Sequence, residues 1–427
     1  NTAVITKSND FNSDNGNVTV KIGDITLQEG KDYNKVVTKS DDGTIYVSLS
    51  AISGTEFEGS VTKAYKDISK LSISCQDVTY TGNAITNKVK IRNGSIDLVE
   101  ETDYKLSYSN NTNIGQATVT ITGIGDYYGS IDKKFNICKD IGENLKGYSL
   151  SLDGSIGFNF FFDFTDELLK DTGAYVIFEL PENRTYKVKL KDSRKTSNGY
   201  RISCYLAAKE MTQKVNLKVV TSDNRNGKTY SYSVDDYAHE LYKYESNENK
   251  KSQIMAVKSM MNYGGYSQKY FNTYTDNLAY NDVKNVFDDE MSEISKNDFE
   301  NYAYRKTGSE EGIEFTSMNL QLESSTGMKL YFTIDNGKNV SDFTFKVNNV
   351  ETQVKHYKNN IYYVEISNVD SNKLDEYFEI SIGKLTVSAC ILSYGNLCFS
   401  NSSTKETLKE TMKSLYLYYK YSKAHFG

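Results

Sequence analysis

Two stretches with helical periodicity organise the hydrophobic pattern of this chain. In Lys251–Phe271 (KSQIMAVKSMMNYGGYSQKYF) and again at 405–426 (KETLKETMKSLYLYYKYSKAHF), apolar residues recur every three to four positions. Each stretch therefore predicts a helix that lays one face on a core. Laying Phe271 on Phe426 brings Val257 onto Met412, Met261 onto Tyr416, Tyr263 onto Tyr418 and Tyr266 onto Tyr421. A repeat that cannot bury its apolar face alone implies that whatever it covers is duplicated as well.

The pattern upstream of each helix has period two. GYSLSLDGSIGFNFFFDF at 147–164 alternates, with Leu150, Leu152, Phe158, Phe160 and Phe162 on one face, and so predicts a strand pair. At a constant offset of 170 residues stands MNLQLESSTGMKLYFTI, where Leu320, Leu322, Met328, Leu330 and Phe332 take those places. Gly157 falls on Gly327, where a bulge or a tight approach is expected. Further strands correspond in order: 174–178 with 342–347, 200–204 with 362–366, and 215–220 with 377–382. Asn226-Gly227 signals a hairpin turn, and Ser393-Tyr394-Gly395-Asn396, flanked by Cys390 and Cys398, predicts another. Gly264-Gly265 inside the first helix points to close packing there.

The N-terminal third is a succession of short alternating runs, such as ATVTIT at 117–122, separated by Gly and Asn turns, as in small antiparallel sandwiches. Asp32-Tyr33 matches Asp103-Tyr104 and 57–60 matches 127–130, so two units stand in tandem. The predicted fold is thus mainly β with accessory helices: tandem Ig-like β-sandwiches followed by a duplicated β-sandwich-plus-helix unit. The expected segments are 1–69 and 70–140 for the sandwiches and 141–272 and 312–427 for the duplicated units. An acidic linker with a short helix carrying Val286, Phe287, Met291 and Ile294 is expected at 273–311.

YTGNA at 80–84, the run at 101–130 (ETDYKLSYSNNTNIGQATVTITGIGDYYGS) and the closing KKFNI resemble the Ig-like repeats of multidomain surface proteins from Gram-positive clostridial gut bacteria. The later stretches at 147–161, 207–212 and 263–271 resemble uncharacterised modules of the same proteins. The resemblance implies secretion and cell-surface attachment through regions outside this chain, and it carries no catalytic residues. Superantigen-like immunoglobulin-binding proteins form one subset of such surface proteins.

Composition narrows the function classes. Net charge is −6 over 427 residues, which opposes a phosphate-binding surface and hence nucleic acid as a partner. Mean hydropathy is −0.58, and there is no 18-residue apolar run for a membrane span. The start NTAVITKSND has no basic segment followed by an apolar one, so it reads as part of a longer protein. Cys75, Cys138, Cys204, Cys390 and Cys398 show no CxxC spacing, and with His239, His356 and His425 they form no zinc pattern. Disulfides Cys75–Cys138 and Cys390–Cys398 stay open as alternatives to free thiols. No GxSxG, HExxH or phosphate-cradling glycine loop is present. His239 beside Asp235, and the acids Asp163, Asp166, Glu179 and Glu182, are weak catalytic candidates.

The expected function is non-enzymatic and needs no cofactor or metal: an adhesin-like protein recognising a host extracellular protein, such as a secreted immunoglobulin or a mucosal glycoprotein. A carbohydrate-binding region and a structural spacer are the alternatives. There are 35 Tyr and no Trp, and consecutive helical positions point about 100° apart, so some helix tyrosines are expected to be exposed. Tyr263, Tyr266, Tyr270, Tyr416, Tyr418, Tyr419 and Tyr421 are therefore the candidate binding residues.

Overall fold

The computed structural model describes residues 2–151, 156–322 and 326–427. The chain is mainly β with accessory helices. It divides into two compact units, 1–141 with Lys218–Ser231, and Gly142–Leu217 with Tyr232–Gly427.

The first unit contains two similar sandwiches. Each pairs a three-stranded sheet with a four-stranded one, whose fourth strand is Tyr127–Tyr128 in the first and Val78–Thr79 in the second. In the first, Val4–Lys7, Val18–Ile22 and Ile25–Leu27 face Tyr33–Lys39, Ile45–Ala51 and Ser60–Asp67. In the second, Ser72–Cys75, Val89–Asn93 and Ile96–Asp97 face Tyr104–Ser109, Gly115–Gly123 and Ser130–Cys138. The alternation in ATVTIT sets the face: Ala117, Val119 and Ile121 are fully buried, whereas the intervening threonines are only partly covered. The tandem match is structural as well. Asp32 accepts from Gln28 N and Asp103 from Val99 N, both at 2.8 Å, and each carboxylate fixes the turn ahead of a buried tyrosine, Tyr33 or Tyr104. Cys75 and Cys138 are free thiols, as are the other three cysteines.

In the second unit, Glu143–Ser151 pairs with Gly157–Phe164, which pairs with Gly199–Tyr205. Ile313–Gln321, Gly327–Ile334 and Ile361–Ile366 repeat that arrangement. Even the irregularities recur: the ladder shifts register between Leu145 and Gly147, and again between Phe315 and Ser317. Phe158, Phe160, Phe162, Met328, Leu330 and Phe332 are all fully buried; Leu152 lies outside the described residues. The facing sheets also share an order. Arg184–Lys189, Tyr175–Leu180, Val215–Val220 and Tyr230–Tyr232 correspond to Val350–Glu351, Phe345–Val347, Phe378–Ile382 and Leu385–Ala389.

Among the described residues the α-helices are α1 (Asp166–Lys170), α2 (Val234–Tyr242), α3 (Lys251–Phe271), α4 (Lys284–Glu293), α5 (Asn297–Glu300), α6 (Ile391–Ser400) and α7 (Glu406–Phe426). Two expectations are corrected here. Residues 391–400 form a helix, not a hairpin. Cys390 is its N-cap residue, Ile391, Leu392 and Cys398 point inward, and Gly395 leaves room for the ring of Phe299. Residues 273–311 hold the expected short helix, α4, but are not otherwise a solvated linker: Phe287, Met291 and Phe299 are buried, and Arg305–Thr307 joins the sheet of the second half. The chain does reverse after Val220, but the turn is at Ser222-Asp223; Asn226 bridges Val220 antiparallel and Gly227 N donates to Val219 O at 2.9 Å on the returning arm.

Candidate functional site

Helices α3 and α7 are antiparallel and pack against each other along their length. Ser252 near the start of α3 meets His425 at the end of α7 (3.0 Å), while Thr411 Oγ1 donates to Tyr266 O at 3.3 Å. At the centre Tyr263 stacks on its own counterpart, Tyr418, with ring centroids 6.1 Å apart and planes 17° apart. A residue that touches its own repeat-equivalent marks a local two-fold axis, the relation of an isologous dimer built into one chain. Small residues make the approach possible. Ser259 and Ser414 are equivalent and fully buried, and each bonds back to the carbonyl three residues earlier; Ser267 and Ser422 are the next equivalent pair.

This packing decides the fate of the candidate tyrosines. Tyr263, Tyr418 and Tyr419 are buried and offer no contact surface, which corrects the expectation for those three. Tyr416 is half-buried against Phe299, centroids 5.1 Å apart. Tyr421 packs edge-on to Phe287 and donates to Glu290 Oε1 at 2.5 Å, and Tyr266 packs on Tyr280. Tyr270, alone of the seven, lines an open groove. The partners of Tyr266, Tyr416 and Tyr421 come from 280–299, within the segment expected to be a linker with a short helix.

What the two-fold leaves open is a groove at each end of the helix pair. The larger, about 450 Å³, is built from both halves. The first half supplies Ser149, Ser151 and Asn159 from the strand pair, Tyr237 from α2 and Gln253 from α3. The second half supplies Asp370 and Asn372, together with His425 and Phe426 at the end of α7. Phe426 is 49% exposed although it is large and apolar. Ser203 Oγ donates to Asn159 Oδ1 at 2.6 Å, leaving the amide nitrogen as that side chain's donor. Asp370 is held by Lys373 at 2.8 Å. Burial, then the charge of Lys250, lowers the pKa of His425, which favours the neutral imidazole; Nδ1 is engaged by Ser252 Oγ at 3.0 Å, which leaves Nε2 as the ring's other polar atom. An aromatic floor ringed by amides, hydroxyls and one neutral imidazole suits a ligand with a ring face and many hydroxyl groups. None of these groove residues was expected. The only signal for them was the phenylalanine that ends both helical repeats.

The catalytic candidates are occupied otherwise. His239 is buried between two carboxylates, Nε2 2.7 Å from Asp282 Oδ2 and Nδ1 3.3 Å from Asp235 Oδ1. Burial lowers its pKa, but the hydrogen bonds it donates to Asp235 and Asp282 outweigh that and raise it to about 10. Protonated at neutral pH, the imidazole ties α2 to the segment after α3 and cannot take up a proton there as a base. Asp163 pairs with Lys146 and Glu182 with Lys209, while Asp166 sits in the first turn of α1 and Glu179 on a neighbouring strand. No cluster of metal-ligating residues occurs among the described residues, and no helix is long and apolar enough to cross a membrane. No protein family matches the chain, and no curated protein matches it.

Proposed function

We propose that this chain is a non-enzymatic, adhesin-like protein of a bacterial cell surface that recognises a host mucosal glycoprotein through its sugars. The tandem sandwiches, by their resemblance to surface-protein repeats, act as spacers, and the duplicated unit is the binding part. The observation that carries this reading is the groove formed by both halves around the exposed Phe426. Its amide, hydroxyl and imidazole rim matches the hydrogen-bonding of a carbohydrate, and its ring supplies the stacking face. Burial of Tyr263, Tyr418 and Tyr419 withdraws the aromatic surface that favoured a purely protein-directed contact, such as one to an immunoglobulin fold.

The test is biolayer binding of the whole chain to mucin and to secretory immunoglobulin, each intact and enzymatically deglycosylated. Binding is expected to disappear with the sugars and to weaken at least ~10-fold in Phe426→Ala, the loss of about 1.4 kcal/mol of stacking. Binding that survives deglycosylation would instead identify a protein-directed adhesin. Silence on all four surfaces would leave the spacer alone.

A further inference from the structure

The local two-fold that relates α3 to α7 also relates the two grooves. The framework is kept: Leu150 corresponds to Leu320, Tyr237 to Tyr394 at the same position after the helix cap, and Phe426 to Phe271. Phe271, like its counterpart, ends its helix exposed, at 38%. Each phenylalanine leans edge-on against the residue before it, His425 in one groove (4.6 Å between centroids) and Tyr270 in the other (4.9 Å). Two exposed phenylalanines at equivalent helix ends, each beside an equivalent tyrosine, indicate two sites and not one site and a scar.

The polar rim has diverged. Asn159 is replaced by Lys329, Gln253 by Leu408 and His425 by Tyr270, and the bulkier set narrows the second groove to about 230 Å³. Lys329 is held in place over the ring of Tyr363, 5.1 Å from its centroid. Its carboxylate neighbour Glu365, at 3.9 Å, also pairs with Lys355, so one negative charge is shared by two positive ones. A second ammonium, that of Lys209, lies 5.5 Å from the centroid of Phe271, paired with Glu182. The lysine that lines the first groove, Lys373, is matched by Asp370, and Lys250 donates to Gln253 Oε1 at its rim at 3.1 Å.

We infer that the groove of Phe271, Tyr394 and Lys329 is a second binding site, selective for an acidic sugar that carries its carboxylate or sulfate to Lys329. This inference rests on the glycan reading of the first groove and extends it: one chain engages a neutral and an acidic sugar at opposite ends of one helix pair. A lysine ammonium serves as a point charge for either anion, and the aromatic pair takes the sugar ring.

The probes are mucin O-glycans separated by anion exchange into neutral, sialylated and sulfated fractions, titrated calorimetrically against the whole chain. The acidic fractions are expected to bind in Phe426→Ala as in the unaltered protein, and to lose at least ~10-fold in affinity in Lys329→Gln. Glu365→Gln, which frees Lys329 from this carboxylate, is expected to tighten acidic binding, and rising salt to weaken it. Comparing the sialylated with the sulfated fraction tells which anion is taken. If the neutral fraction binds and neither lysine nor glutamate substitution changes acidic affinity, this second site falls while the first stands. If acidic binding disappears with Phe426→Ala, there is one groove only. If no fraction binds, both readings fall together.

Discussion

His239 shows how a residue that looks catalytic is used as a rivet. Its pairing with Asp235 was visible in the sequence as a four-residue spacing. Asp282, which turns the pair into a carboxylate–imidazolium–carboxylate bridge, lies 43 positions away and was not. The bridge makes stability depend on pH in a defined direction. The folded state keeps its proton to about pH 10, whereas the unfolded chain releases it near 6.5. The bridge is therefore at full strength below pH 6.5 and is lost as pH rises through 10. Urea unfolding at pH 6 and pH 9.5 should show the unaltered protein losing on the order of 1–3 kcal/mol more than His239→Gln over that interval. Equal losses in both would show that the imidazole carries no stabilising charge. The tyrosines teach the same lesson about distance in sequence. Helical periodicity required some of the helix tyrosines to point away from the core without saying which, and it could not show that the intervening segment brings Phe299 over Tyr416 and Phe287 over Tyr421.

At the level of elements, legibility followed the strength of the periodic signal. Helix α3 runs over the very span its pattern predicts, and the Phe158/Phe160/Phe162 and Met328/Leu330/Phe332 alternations give buried faces because period two leaves one face no alternative. The Gly-Asn turn signal in 393–396 misled, since a glycine can also be a packing requirement: at Gly395 a Cβ would meet the ring of Phe299, and the flanking Ile391, Leu392 and Cys398 at helical spacing decide the element. The short helix expected around Val286, Phe287, Met291 and Ile294 is α4, with Phe287 and Met291 buried, but the acidity of 288–290 hid how much of the segment around it is packed. The glycines at the second strand of each half were the strongest local prediction. A Cβ at Gly157 would collide with the carbonyl of Cys204, and one at Gly327 with the carbonyl of Ile366. Because the obstacle is backbone in both, Gly157→Ala and Gly327→Ala should each destabilise by about 1–3 kcal/mol, whereas alanine at Gly147, where nothing lies within 4 Å, should be tolerated. Thermal melts of the three variants check this, and an unchanged melting temperature at Gly157 would mean that the strands separate more easily than their ladder suggests.

For the second unit as a whole, the duplication matters because its halves are joined by the element they share. Each half buries one long helix, and each helix buries part of its surface on the other, so neither half has a complete core without its mate. The grooves inherit that dependence, since the α7 end that supplies Phe426 belongs to the half opposite the strand pair it faces, and the same holds for Phe271. Binding and folding are then linked: any substitution that loosens the axis should weaken both sites, while one at a rim should weaken only its own. Tyr418→Ala removes a buried ring from the axis at a cost of about 3–5 kcal/mol. In calorimetry the two halves should melt as a single transition, and Tyr418→Ala should move that whole transition down without splitting it, because partners that share a core unfold together. The same variant should lose affinity for neutral and acidic glycans alike, although Tyr418 touches neither groove, whereas Phe426→Ala should leave the melting temperature in place. Two separate transitions in the unaltered protein, or a Tyr418→Ala variant that loses one class of glycan only, would mean that the halves act as neighbours and not as one two-fold body.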